Sequence, residues 1–94
     1  MTDIYTCKRG DMCLIGDSYG YDMYVCVQDK HSSKDYPFPV VSFLTLEAPH
    51  YIIEMGYDSH FGQRDYCELR GIMSEKEILN VESLVQTERN ISDV

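Results

Sequence analysis

Positive charge is scarce in this chain of 94 residues: eight Lys and Arg stand against sixteen Asp and Glu, a formal net charge of −8. That is the reverse of the footprint needed to hold phosphates, so direct nucleic-acid binding is disfavoured, as is an anionic membrane surface. The basic residues (Lys8, Arg9, Lys30, Lys34, Arg64, Arg70, Lys76, Arg89) are scattered and form no stripe. Long apolar runs are missing too. None approaches the ~20 residues of a spanning helix, and the opening stretch, residues 1–10, lacks the apolar core of a secretory signal, which predicts a cytoplasmic protein.

Catalytic signatures are also absent. There is no Gly-x-Ser-x-Gly elbow, no glycine-rich phosphate loop and no His-Glu-x-x-His helix. Cys67, His60 and Asp58 or Asp65 lie close in sequence, but a nucleophile, base and orienting acid usually meet through the fold, so no enzyme is expected. The acids around Asp17 and Asp22 fail the spacing of a calcium loop. Cysteines in tight pairs are lacking: five residues separate Cys7 from Cys13, and twelve separate Cys13 from Cys26. A tetrahedral structural metal asks for closer pairs, so neither metal nor cofactor is expected. In a reducing compartment Cys7, Cys13, Cys26 and Cys67 read as core thiols beside apolar neighbours.

What is present describes an ordinary folded domain, with 44% apolar and 26% charged residues. A chain of this length buries about 65% of its extended surface, enough for one self-standing core. Residues 1–94 therefore read as a single domain, with 91–94 a frayed tail. Six short runs rich in β-branched, aromatic and Cys residues, Ile4–Lys8, Met12–Ile15, Met23–Gln28, Val40–Leu46, Tyr51–Met55 and Tyr66–Gly71, are bounded by turn residues and read as strands. Their short connections require mostly antiparallel pairing. Arg9-Gly10-Asp11 reads as a tight turn.

The last quarter changes period. Ser74-Glu75-Lys76-Glu77 is a capping box, Met73 and Ile78 fit a hydrophobic staple, and Ile78, Val81, Leu84 and Val85 recur at helical spacing, so a helix from Ser74 to about Asn90 packs one face on the sheet. The expected fold is α+β, mainly β: a small antiparallel bent sheet or SH3-like partial barrel of five to six strands with one C-terminal helix. The barrel form rests on the opening strand, Gly10-Asp11 and apolar strand, which loosely resemble the first hairpin of SH3-like barrels.

Tyrosine is over-represented, at eight of eleven aromatic residues. Tyr24, Tyr51 and Tyr66 are expected to fill strands with only the hydroxyl wet. Tyr19, Tyr21, Tyr36 and Tyr57 sit beside turn residues and are expected in exposed loops. Two Gly-Tyr-Asp triplets, at 20–22 and 56–58, each set a ring beside a carboxylate. That pairing suits Arg and Lys on a partner, so Asp17, Tyr19, Tyr21, Asp22, Tyr57 and Asp58 form the expected binding face, with Glu75 and Glu82 of the helix next in line.

The expected function is a non-enzymatic, monomeric protein-binding module that occupies the basic surface of another protein, such as a nucleic-acid-binding protein, and inhibits it by mimicry. In character the chain is similar to accessory proteins of phages and mobile elements, including anti-CRISPR inhibitors, which implies action in a host cytoplasm. A structural or regulatory subunit that self-associates is the alternative, and a small Cys- or His-dependent enzyme comes third.

Overall fold

The computed structural model describes residues 3–17, 19–56 and 66–92, with only the backbone of Asp17 and of residues 89–92. Five strands, β1 (Asp11–Asp17), β2 (Gly20–His31), β3 (Val40–Thr45), β4 (Ile52–Met55) and β5 (Tyr66–Ile72), precede one helix, α1 (Glu75–Ser92). The strands form one antiparallel sheet in the order β4-β3-β2-β1-β5. Of the two expected forms the open sheet is the one observed, since among the described residues β4 and β5 lie at opposite edges and do not pair.

The first expected strand is instead a 3₁₀ turn, Ile4–Thr6. Asp3 captures the chain locally: its carboxylate accepts from the Tyr5 amide at 2.8 Å, and its carbonyl accepts from the Thr6 amide and hydroxyl at 2.9 and 2.7 Å. Such side-chain bonds compete with a strand ladder. The turn drives Ile4 and Cys7 inward, while the Tyr5 hydroxyl donates to the Pro39 carbonyl at 2.8 Å. β2 is longer than expected because its polar ends, Gly20–Asp22 and Asp29–His31, still pair with β1 and β3. The helix continues past Asn90 to Ser92.

Alternation along the strands divides the interior into two clusters. Cys13, Ile15, Tyr24, Cys26, Val41, Phe43, Met55 and Cys67 pack with Ile4 and Cys7 on one face. Val25, Val27 and Leu44 pack on Ile78 of α1 on the other, with Met12, Met73, Val81 and Val85 around them. Leu84 stays exposed, so the apolar stripe of α1 is narrower than its spacing suggests. The cap forms: the Ser74 hydroxyl accepts from the Glu77 amide at 3.3 Å and donates to the Glu77 carboxylate at 3.0 Å, whereas in the usual capping box that carboxylate accepts from the cap residue's own amide.

Gly10 joins these parts. Its amide donates to the Cys26 carbonyl at 2.8 Å and its carbonyl accepts from Met73 at 2.7 Å. Its φ of +102° favours glycine, and an added Cβ would meet the Met73 carbonyl at 2.9 Å. Beside it, Asp11 caps the Lys8 amide at 2.9 Å, so Arg9-Gly10 is the expected turn. The Arg9 guanidinium spans the junction, donating to Glu75, to Glu82 and to the Val27 carbonyl. Glu75 and then Glu82 hold its proton above the ordinary arginine value.

Candidate functional site

The β1–β2 hairpin turns at one end of the sheet, where Asp17 pairs with Gly20 and Gly16 with Tyr21. Tyr19, at the tip, is 97% exposed, and Tyr21 is 51% exposed. Tyr21 is a strand residue rather than a loop residue. It and Tyr66 both face Gly16 across the ladder, and their rings meet edge to face over that bare backbone at 5.2 Å and 71°. Tyr21 is therefore partly structural. The Tyr66 hydroxyl donates to Glu68 in turn.

Asp22 is exposed on the opposite face, beside a shallow pocket of about 190 Å³ between β2 and the β3–β4 connection, with Glu47 and Tyr51 on its rim. Tyr51 is 49% exposed, which corrects its placement in the core; the chain reaches it before β4 begins. Tyr24 is buried against Phe43 as expected. Tyr36 is half-buried against Phe38 at 5.2 Å. Of the expected face, the fold brings Asp17, Tyr19, Tyr21 and Asp22 to one end. Tyr57 and Asp58 lie outside the described residues, as do His60 and Asp65. Glu75 and Glu82 sit at the far end of the molecule, engaged with Arg9.

The topology also gathers the cations. Every cation with a described side chain (Lys8, Arg9, Lys30, Lys34, Arg70, Lys76) lies toward the end where β1 begins and β2 finishes. There Lys8 pairs with Asp29, Arg9 with Glu75 and Glu82, and Lys30 stands 5.1 Å over the Tyr5 ring. The hairpin end holds Asp22, Glu47 and Glu88. α1 runs from the Gly10 junction to His50, whose amide and Nδ1 both contact the Glu88 carboxylate, at 2.6 and 2.8 Å. The negative end of its dipole thus faces the same way. His50 holds the Glu88 carboxyl below the ordinary carboxylate range.

A second constellation lies inside the first cluster. Cys7, Cys13 and Cys67 are buried, and their sulfurs all lie within 4.8 Å of one another, Cys7 to Cys13 at 3.7 Å. All are free thiols. Cys13 and Cys67 stand two residues apart on the same face of adjacent strands, because Ile15 pairs with Cys67 and Cys13 with Leu69. The 3₁₀ turn delivers Cys7 from above. Hydrogen bonds from Cys13 and then Cys7 draw the Cys67 thiol below its ordinary value, whereas Cys13 and Cys67, with burial, hold Cys7 well above its own. Cys26 stands apart from the trio, and burial pushes its thiol up to about 12. Ligand spacing could not show this grouping, since its members come from three elements; alternation in β1 and β5 was the only available clue.

No family model, curated protein or solved structure matches the chain.

Proposed function

We propose that the chain is a non-enzymatic binding module that docks its acidic hairpin end on a basic protein surface, of the kind a nucleic-acid-binding protein presents, and acts by occupying it. The observation that carries this reading is the gathering of the described cations at one end of the sheet: there they pair with acids such as Asp29, Glu75 and Glu82, while the end bearing exposed Tyr19 and Tyr21 bears Asp22 and Glu47 with none of those cations beside them. Carboxylates spaced over such an end speed encounter with Lys and Arg, and the rings add stacking and cation–π contact once docked. Asp22 and Glu47 take no part in the ion pairs among the described residues, which use Asp29, Glu68, Glu75, Glu82 and Glu88, so their charge remains available.

Affinity capture from lysate, followed by kinetics with the captured protein at two salt concentrations, tests the reading. Tyr19→Ala with Tyr21→Ala should cost about 2 kcal/mol of binding, mainly through faster dissociation. Asp22→Lys with Glu47→Lys should slow association and flatten its salt dependence. Unchanged kinetics in both folded variants would refute it. Exposed Leu69 and Ile72 on edge strand β5 favour self-association as the second reading. A concentration-dependent mass in sedimentation would select it.

A further inference from the structure

We propose that Cys7, Cys13 and Cys67 form a binding site for a soft, sulfur-seeking metal ion, and that monovalent copper is the ion they match. Three observations carry this. The first is distance. With metal–sulfur bonds of about 2.3 Å, three sulfurs around one ion lie about 4.0 Å apart in a trigonal plane and about 3.8 Å apart on a tetrahedral face. Cys7 and Cys13 stand 3.7 Å apart and no pair exceeds 4.8 Å, so closing on one ion changes a separation by no more than about 1 Å.

The second is donor type. The cluster offers sulfur alone, with no carboxylate or imidazole among its described members. Thiolates select copper(I) and zinc and reject magnesium, calcium and manganese. Zinc takes four ligands as a rule, whereas copper(I) is satisfied by three sulfurs, the number that the described residues bring together. The third is preorganisation. Cys13 and Cys67 are fixed by the β1–β5 ladder and Cys7 by the hydrogen bond its backbone N–H donates to the Ile4 carbonyl at 3.2 Å, all buried with Ile4, Ile15 and Met55 in one apolar cluster. Little order remains to be imposed on binding, and the shell shields a copper thiolate from oxidants. Binding releases thiol protons to solvent, so retention strengthens as pH rises. An ion there also ties the N-terminal turn to the sheet and stabilises the fold by mass action.

The full chain, reduced with a phosphine and kept anaerobic, is titrated with copper(I) against a chromophoric copper(I) chelator. One equivalent should be retained, with a higher melting temperature and a sulfur-only shell of three in copper X-ray absorption. Cys7→Ala, Cys13→Ala and Cys67→Ala should each weaken retention about a hundredfold or more, and Cys26→Ala, from the same core, should leave it unchanged. Because core substitutions can unfold the chain, the wild-type titration is followed by circular dichroism and stands alone. Loss of all copper to the chelator from folded wild type, equal loss in Cys26→Ala, a nitrogen or oxygen shell, or tighter retention of zinc in the same assay would each overturn the assignment.

Discussion

Replacing Ile78 with Ala tests how the helix is held. Ile78 is 1% exposed, at the first turn of α1, against Val25, Val27 and Leu44. Three carbons are lost, worth about 2.4 kcal/mol at ~0.8 kcal/mol per buried methylene. The cavity adds about 1 kcal/mol rather than its full cost, because the unbranched side chains of Met12 and Met73 border the site and can relax into it. Alanine's better helix propensity returns about 0.4 kcal/mol. The expected loss is about 3 kcal/mol, which at a urea dependence of about 1.5 kcal/mol per molar shifts the midpoint down by about 2 M. The neighbouring Leu79→Ala, at a position 56% exposed, should shift it hardly at all. Urea titrations followed by far-UV circular dichroism measure both. Equal effects, or a loss below about 1 kcal/mol at Ile78, would refute the seating of α1 on β2 and β3.

Ser74→Ala removes the cap hydroxyl that the Glu77 amide uses and should cost about 1 kcal/mol in the same assay, with Ser74→Asp restoring most of it. Gly16→Ala places a Cβ 2.6 Å from the Tyr21 ring and closer still to the Gly20 carbonyl; it should cost about 2 kcal/mol or more and disturb the aromatic near-UV signal. Glu75 and Glu88 both hold carboxyl values lowered by Arg9 and His50, so the stability they contribute is present above the ordinary carboxylate value of about 4.5 and is lost as pH falls through their lowered folded values. The urea midpoint should therefore fall on acidification below that value, and the deficit of Glu75→Gln or Glu88→Gln against wild type should shrink there.

The elements were legible because local signals write them. Short runs rich in β-branched, aromatic and Cys residues between turns became β1 to β5, and the Ser74 box with its Ile78 staple became the start of α1, since caps and turns act within a few residues. The same locality explains the failure at Ile4–Lys8, where one carboxylate at Asp3 outweighed an apolar, β-prone run. Composition alone set the net acidity and the abundance of tyrosine. Which end of the sheet gathers the described cations, that Tyr21 leans on Tyr66, and that three thiols scattered over sixty residues meet within 4.8 Å were decided by strand order and register. Those depend on how the two faces bury against one another and on the bare backbone at Gly16, and no short window of sequence contains that information.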